Sequence, residues 1–464
     1  LPFGTRGGLA VRHNFLADGK YTFHIQNFGV GSFIQSSSYV AGFQGWRIHG
    51  NGAAEFAATS IRGKLTAAQV DTRGLSVFDD AGGLILSTNT QKSLNDVAVG
   101  SSKFLAVGEN GTTAFSNDGV RWPSSAIGSV RYKLKNIKVD DSEYQRLLEV
   151  FKKYNIRYFF YNGGNDSMDT CNKISKFFKK SGFDCNVIGV PKTIDNDLNG
   201  TDHSPGYASA AKYVATTLME LYHDATVYDA PQVTIVEIMG RNAGWLTAAA
   251  ALAQYKGQGP DLIYLPELPF DFDDFFVHVQ RVIAEKGKCI VAVSEGIKTA
   301  DGKYVPELFA DLKKDAFGHA QLGGTAQVLA EEVGKRTKVK VRAIEFSLLQ
   351  RSAAHLASKV DVEEAYNSGK RAVKAAVRGT TDKMVGFKRV SNNPYKIKYV
   401  LLPLKLAANT EQRVPLDWIL PDAKGMSQEY LDYALPLIQG ESKAKLEDGL
   451  PKFANLKKIR VVKK

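Results

Sequence analysis

A lysine, a threonine and two aspartates lie within six positions in residues 190–197, which read Val-Pro-Lys-Thr-Ile-Asp-Asn-Asp. The run Cys-Asn-Val-Ile-Gly-Val at 185–190, which leads into them, is typical of a buried strand. A carboxylate in such a turn can take the proton of a hydroxyl, and a lysine can offset charge on a phosphoryl group that is being transferred. These residue types indicate activation of a hydroxyl beside a phosphate. A polar loop that only caps a buried strand is the simpler alternative.

Two glycine-containing segments flank this octapeptide. Upstream, an apolar run at 158–161 leads into Gly163-Gly164-Asn165-Asp166, and glycines after a strand let the backbone approach an anion at the start of a helix. Downstream, an apolar run at 233–239 is followed by Gly240-Arg241, and an arginine at that place suits a phosphorylated substrate. The alternatives are an ordinary turn at 163–166 and a solvated residue at the start of a helix for Arg241.

The elements that must position these residues alternate along the chain. Strand-like runs lie at 152–160, 185–190, 233–239, 261–265 and 289–293, and helical patterns lie at 172–180, 207–222 and 272–285. This alternation predicts an α/β fold, with a parallel sheet and helices on both faces. Ligands bind at the carboxyl ends of the strands of such sheets, where Asn165, Asp195, Arg241 and Glu295 would lie.

The same segments resemble the phosphofructokinase family, in particular its pyrophosphate-dependent branch. The resemblance runs from about residue 125 to about residue 389 and continues more weakly to about residue 421. It depends on six blocks in family order: Gly-Ser-Val-Arg-Tyr at 128–132, Gly-Gly-Asn-Asp-Ser at 163–167, Pro-Lys-Thr-Ile-Asp-Asn-Asp at 191–197, Met-Gly-Arg at 239–241, Ser-Glu-Gly at 294–296, and Arg342 with Gln350-Arg351.

The resemblance implies roles for individual residues. Asp195 would deprotonate the sugar hydroxyl, with Asp197 close by and with Lys192 and Thr193 at the centre of phosphate transfer. Substrate binding is implied for Arg131, Gly164, Met239, Gly240, Arg241, Glu295, Arg342 and Arg351. In the family the residue at Arg342 commonly reaches in from a neighbouring subunit, which implies a homodimer or tetramer. Mg²⁺ is the implied cofactor, with Asn165 and Asp166 as its candidate ligands.

The phosphoryl donor depends on Asp166 and Lys192, because ATP-dependent members of the family have glycine at both places. A carboxylate at 166 fills the space of the inner phosphate of the nucleotide and repels it. A lysine at 192 supplies charge that compensates for the missing nucleotide contacts. The expected reaction is reversible transfer from pyrophosphate to the 1-hydroxyl of fructose 6-phosphate.

Three residues depart from the family pattern. Asn165 stands where many members have a metal-binding aspartate, so Mg²⁺ would depend on Asp166 or on pyrophosphate itself. Leu348 replaces a histidine that often contacts the sugar phosphate, and Gln232 falls where an arginine shared between subunits is common.

The front of the chain is of a different kind. The family begins with a strand and a glycine-rich phosphate loop, which residues 1–124 do not supply. Instead, residues 45–64 resemble phage tail-tip and tail-fibre proteins, and residues 97–122 resemble an Asp-box β-repeat. We therefore expect a β-rich segment at 1–123, a phosphofructokinase-like α/β region at 124–430, and a C-terminal helix with a basic tail at 431–464.

Two alternatives to an active kinase follow from this front segment. One is a truncated and inactive phosphofructokinase, joined to a tail-like sequence near Pro123. The other is a structural, phage-tail-like binding protein whose β-rich front defines its role.

Composition bounds the class of protein. The 464 residues carry a net charge of +12, about half of which lies in the last thirteen residues, so a solvated basic tail accounts for the excess better than nucleic-acid binding. No apolar stretch reaches the 18 residues of a membrane span, and no secretory signal is visible. Three widely spaced cysteines fit reduced thiols in the cytoplasm.

Overall fold

A computed structural model describes residues 134–309, 324–408, 410–442 and 446–453, together with the backbone of six short strands between residues 33 and 108. The chain divides into two compact units, residues 1–99 and residues 100–464. The phage-tail-like and Asp-box interpretations fall mostly outside the described residues, as does the basic tail. The predicted boundaries at 123 and 430, the β-rich front and the proposed fusion therefore stay predictions.

The first unit contains two small antiparallel sheets. Strands β1, β2 and β3 form one sheet in that order, and β4 pairs with β5 in the other. Their bounds are β1 (Phe33–Gln35), β2 (Trp46–His49), β3 (Ala54–Phe56), β4 (Ser76–Phe78) and β5 (Leu84–Ser87).

The second unit alternates strands and helices. Its strands are β6 (Lys103–Gly108), β7 (Ile156–Gly163), β8 (Asn186–Pro191), β9 (Gln232–Ile238), β10 (Leu262–Tyr264), β11 (Lys288–Ser294), β12 (Lys340–Glu345), β13 (Lys383–Asn392), β14 (Tyr395–Pro403), β15 (Leu446–Glu447) and β16 (Leu450–Pro451). Its helices are α1 (Ser142–Lys153), α2 (Asn165–Lys180), α3 (Tyr207–Thr226), α4 (Trp245–Ala248), α5 (Ala251–Tyr255), α6 (Phe272–Lys286), α7 (Thr325–Arg336), α8 (Lys359–Val377), α9 (Leu404–Ala407) and α10 (Gln428–Ala434).

A five-stranded sheet in the order β14-β13-β8-β7-β6 carries the first half of the site. Strands β6, β7, β8 and β13 pair in parallel, and β14 runs antiparallel to β13. Alternate residues of β7 are buried on opposite faces: Phe159 packs with α1 and α2, whereas Phe160 packs with Ala372 and Ala376 of α8. Strand β6 lies within the segment that was expected to be β-rich, and it pairs in parallel with β7.

A four-stranded, fully parallel sheet in the order β10-β11-β9-β12 carries the second half. Every residue of β9 is buried, which is typical of a central parallel strand covered on both faces. Val236 and Ile238 pack with α3, α4 and α5, and Val233 and Ile235 pack with α6 and α7. The turns after β7 and β8 are thereby held at the carboxyl edge of the first sheet, and the turns after β9 and β11 at that of the second.

The predicted α/β fold with helices on both faces of parallel sheets is confirmed. The predicted start of the first strand at residue 152 is wrong, because α1 continues to Lys153 and β7 begins at Ile156. All three cysteines are buried and unbridged. None of the helices in the described residues is long and apolar enough to cross a membrane.

Candidate active site

The loop at 192–206, which follows β8, carries the predicted catalytic residues. The Lys192 N–H donates to the Gly163 carbonyl at 3.1 Å, and the Thr193 N–H donates to the Pro205 carbonyl at 3.1 Å. The loop is therefore joined both to the end of β7 and to its own C-terminal end. Gly164 lies against it, since a Cβ at 164 would be 3.7 Å from the Thr193 Cβ.

Thr193 and Asp195 contact each other within this loop. The Asp195 N–H donates to Thr193 Oγ1 at 3.1 Å, and Thr193 Oγ1 lies 3.4 Å from Asp195 Oδ2. Burial raises the pKa of the Asp195 carboxyl, and the positive charges of Lys192, Arg241 and Arg351 act in the opposite direction without cancelling it. Asp195 is therefore a more basic carboxylate than an exposed aspartate, beside three cations that can hold phosphate.

Asp197 is hydrogen-bonded to the first residue of α2. The Asn165 Nδ2 donates to Asp197 Oδ2 at 2.6 Å. Burial, followed by the negative charges of Asp195 and Glu411, raises the pKa of Asp197 to about 8. Asn165 Oδ1 and Asp197 Oδ1 are buried and have no hydrogen-bond partner in the part of the chain that the structure describes. The amide oxygen of Asn165 and the free carboxyl oxygen of Asp197 are ligands that a hard cation prefers, so a cation would be favourable here.

The carboxyl end of β9 supplies the second half of the site. Gly240 has a φ of 149°, a conformation that favours glycine. The Met239 N–H donates to Gln350 Oε1 at 3.2 Å, and the Gly240 N–H lies 3.3 Å from Glu295 Oε1. Gly296 allows this close approach, because a Cβ there would lie 2.0 Å from the Arg241 carbonyl oxygen. The turns after β9 and β11 are thus packed directly against each other.

The charges of these turns interact with the 192–206 loop. Burial raises the pKa of Glu295, a hydrogen bond from the Gly240 N–H opposes this, and the negative charge of Asp195 raises the pKa further. Arg241 lowers the pKa of both Asp195 and Glu295. The charges of Asp195, Glu295 and Arg241 therefore influence one another across the two halves of the site.

Comparison with known proteins assigns this arrangement to a family. Residues 111–376, more than half of the chain, match the phosphofructokinase family. The chain belongs to the phosphofructokinase family.

The relatives of this phosphofructokinase include proteins named pyrophosphate–fructose 6-phosphate 1-phosphotransferase. The protein of Halomonas elongata is 44% identical over 74% of this chain and 82% of its own length. That of Xanthomonas campestris is 46% identical over the same shares, 74% and 82%. Among solved structures, the pyrophosphate-dependent phosphofructokinase of Nitrosospira multiformis is 39% identical, has a TM-score of 0.66, and is matched over 74% of this chain and 81% of its own.

One predicted site residue of this phosphofructokinase, Arg342, lies away from the cluster. Arg342 lies on β12 beside Thr234 of β9, roughly 13 Å along the strand from Ile238. Its guanidinium donates to Asp224 Oδ2 at 3.1 Å. Arg131 lies outside the described residues, so its predicted role stays a prediction.

Several polar residues at the phosphofructokinase site were not predicted. Gln350 is buried and fixes the Met239 N–H, and its place directly before Arg351 was the available signal. Glu411 accepts a 2.8 Å hydrogen bond from Asn242 and raises the pKa of Asp197. No local pattern marks Glu411, because it comes from a loop more than 200 residues after Asp197 along the chain.

Proposed function

We propose that this phosphofructokinase transfers a phosphoryl group reversibly between pyrophosphate and the 1-hydroxyl of fructose 6-phosphate. The observation that carries the proposal is Asp195, a carboxylate of raised pKa surrounded by the charges of Lys192, Arg241 and Arg351. A base that acts beside a polyanionic donor needs two things. Its proton affinity must be raised so that it can take the proton of the hydroxyl, and cations must be present to hold the phosphates. The names of the two relatives support the same reaction.

The reaction can be written with these residues in defined roles. Asp195 takes the proton of the 1-hydroxyl, and the sugar oxygen forms a bond to the terminal phosphorus of pyrophosphate. The bond from that phosphorus to the bridging oxygen breaks, and orthophosphate leaves. Lys192 stabilises the charge on the transferred group, and Thr193 holds the Asp195 backbone through its hydroxyl.

The sugar phosphate is assigned to the second half of the site. Arg241 and Arg351 supply the positive charge that its phosphate requires, and both lie near enough to Asp195 to lower its pKa. Met239, Gly240 and Glu295 form the wall beside them, joined through Gln350 and the Gly240 N–H. This wall would orient the sugar ring so that its 1-hydroxyl points to Asp195.

Pyrophosphate is the proposed donor because Asp166 and Lys192 stand at the donor end of the site. Lys192 is buried with 9% of its surface exposed, and its charge is the largest factor that lowers the pKa of Asp195. Asp166 lies in the first turn of α2, where its negative charge would repel the inner phosphate of a nucleotide.

Mg²⁺ fits the oxygens at the start of α2. Within the described residues no group of three or more His, Cys, Asp and Glu side chains could hold a metal by itself. Asn165 Oδ1 and Asp197 Oδ1, both buried without a partner there, would be its protein ligands, alongside Asp166. A bound Mg²⁺ would neutralise charge on the phosphates. Such ions are usually held by only one or two protein ligands together with phosphate oxygens of the substrate.

A homo-oligomer is proposed from Arg342. This residue contacts Asp224 and lies along β12 away from the carboxyl edge of its own sheet, so within one chain it does not reach Asp195. An approach from a second copy would reconcile its place in the strand with the substrate-binding role that the family resemblance implies.

The test is an assay of fructose 6-phosphate phosphorylation with pyrophosphate and ATP in parallel. We expect turnover with pyrophosphate that falls by about 10²- to 10⁴-fold in Asp195→Ala, the usual range for loss of a general base. Asp184→Ala, which removes an exposed carboxylate just before β8, is the matched control and should retain full turnover. Turnover with ATP alone would contradict the donor assignment. A folded protein without turnover would favour the inactive alternative.

A further inference from the structure

The turn between the two aspartates of the 192–206 loop is in a left-handed conformation. Asn196, which stands between Asp195 and Asp197, has a φ of 56° and is almost fully buried. Asparagine adopts this conformation more readily than most residues other than glycine, because its side chain can form hydrogen bonds that stabilise the turn.

Both ends of the Asn196 amide are hydrogen-bonded. Its Oδ1 accepts from the Ser204 N–H at 2.8 Å, within the returning part of the same loop. Its Nδ2 donates to the hydroxyl of Tyr433 at 2.7 Å. The second bond ties the turn to α10, 237 residues later in the chain.

The Tyr433 hydroxyl is itself held at one position. It donates to the Asp202 carbonyl at 3.0 Å, so it connects two points of the 192–206 loop. The Tyr433 ring lies 4.6 Å from the Arg389 guanidinium and 5.3 Å from the Trp245 ring. The Tyr433 carbonyl also accepts from Arg389 at 2.7 Å. These contacts fix the position of the Tyr433 ring, so its hydroxyl is a fixed anchor for the 192–206 loop.

We propose that Tyr433 is a positioning residue for phosphoryl transfer. Through Asn196 it fixes the turn that sets Asp195 relative to Asp197, although it does not contact the substrate itself. This inference depends on the proposed function for its effect on turnover, but the claim that Tyr433 holds the loop is independent of it. Nothing in the 190–197 sequence indicates this partner, since the tyrosine belongs to a separate helix.

The test compares two tyrosines of the same helix. Tyr433→Phe removes the hydroxyl and leaves the ring. Tyr430→Phe is the matched control, because Tyr430 is also buried in α10 but its hydroxyl contacts Tyr207 and Trp245 and not the 192–206 loop. Each variant loses one buried hydroxyl, so we expect similar decreases in the thermal unfolding midpoint.

Turnover should separate the two variants. We expect kcat of Tyr433→Phe to fall by about 10- to 100-fold, the effect of a small displacement of a catalytic group, with KM for both substrates within about twofold. Tyr430→Phe should keep kcat within about twofold. Equal kcat values for Tyr433→Phe and wild type would overturn the proposal, and so would equal losses in both variants.

Amide hydrogen exchange provides a readout that does not require turnover. Peptides that cover 193–206 should exchange faster in Tyr433→Phe than in wild type, and no faster in Tyr430→Phe. Unchanged exchange in Tyr433→Phe would overturn the claim that Tyr433 holds the loop, even if the wild type had no activity and the proposed reaction had failed. The two ideas can therefore fail separately.

A double-mutant cycle tests the route through Asn196. Asn196→Gly keeps the left-handed turn accessible and removes both amide hydrogen bonds. If Tyr433 acts through Asn196, Tyr433→Phe should lower kcat no further in the Asn196→Gly background. Full additivity of the two effects would show that Tyr433 acts by another route and would overturn the proposed one.

Discussion

Asn165 Nδ2 lies 2.6 Å from Asp197 Oδ2, so the first residue of α2 is hydrogen-bonded to the loop that carries Asp195. This hydrogen bond directly links the segment at the donor end of the site to the segment that carries the base. An aspartate at 165 would place a second carboxylate against Asp197 in a buried setting, whereas the amide donates a hydrogen bond there. The departure of Asn165 from the family pattern is thus matched by a partner within the same chain.

Donor choice should depend on Asp166 and Lys192. We expect the double variant Asp166→Gly/Lys192→Gly to raise kcat/KM for ATP relative to pyrophosphate by at least about tenfold, because removal of Asp166 relieves like-charge repulsion and removal of Lys192 weakens pyrophosphate binding. Initial rates with both donors, for the double variant and each single variant, check this. A parallel loss with both donors would mean that the two residues do not discriminate between them.

Gly296 should control binding of the sugar phosphate. In Gly296→Ala the new Cβ would lie 2.0 Å from the Arg241 carbonyl oxygen and 2.6 Å from that of Gly240, so the turn after β9 must move. We expect KM for fructose 6-phosphate to rise by about 10-fold or more, since such overpacking costs typically 1–3 kcal/mol. Gly369→Ala in α8 meets no atom within 4 Å and is the control that should leave KM unchanged. An unchanged KM in Gly296→Ala would show that the turn does not contact the sugar.

Arg342 should complement a defective partner if it acts across an interface. Arg342→Ala and Asp195→Ala protomers, each inactive alone, would form mixed dimers in which one of two sites has both residues intact. Random mixing would restore about one quarter of wild-type activity. Arg241→Ala mixed with Asp195→Ala is the control. Each of these substitutions disables the site of its own chain, so neither site of a mixed dimer would be intact and no activity should return. Absence of recovery with Arg342→Ala would place its role within its own chain.

Stability should fall at alkaline pH through His203, which is 1% exposed and lies 2.7 Å from both Asp202 and Glu364. Burial lowers the pKa of His203, but the hydrogen bonds to the two carboxylates outweigh it and raise the pKa to about 9. Arg389 pairs with Asp202, and the Tyr395 hydroxyl donates to Glu364, so these groups complete the surroundings of the ring.

The sign of the pH effect follows from the direction of this shift. Because the folded pKa exceeds the usual 6.5, the protonated ring contributes fully below pH 6.5, and the contribution is lost as pH rises through about 9. We expect His203→Gln to lower the free energy of unfolding by roughly 3 kcal/mol at pH 6, with a smaller difference from wild type above pH 9. Denaturant titrations over this range check it, with exposed His355→Gln as the control. A difference that does not change with pH would contradict a buried charged histidine.

The sequence predicted the parts of the fold that depend on local periodicity. Apolar runs located β8, β9 and β11. The structure divides these strands between two sheets, so Asp195 follows a strand of one sheet, whereas Arg241 and Glu295 follow strands of the other. Helical spacing is visible at 172–180, whereas helix α2 begins at Asn165. Its first turn is polar because it faces the site, so the periodic apolar signal starts only later.

The contacts that tune the site could not be predicted in the same way. Glu411 and Tyr433 meet the 192–206 loop through tertiary packing, and neither belongs to a pattern that spacing reveals. Strand β6, residues 103–108, falls in the segment that resembles an Asp-box repeat, and it pairs in parallel with β7. Its short apolar alternation fits a strand of a β-hairpin and an edge strand of a parallel sheet equally well. Only the identity of the neighbouring strand, β7, distinguishes the two.

The bond between Asn196 and Tyr433 also has a consequence for the order in which the enzyme matures on the ribosome. The 192–206 loop is translated 237 residues before the side chain that closes its turn. At a synthesis rate of about 5–20 residues per second, Tyr433 is translated about 10–50 s after the loop. A nascent chain can thus complete the parallel strands that bear Asp195 and Arg241 while still lacking the geometry for turnover. Activity should appear late in synthesis, with the arrival of α10.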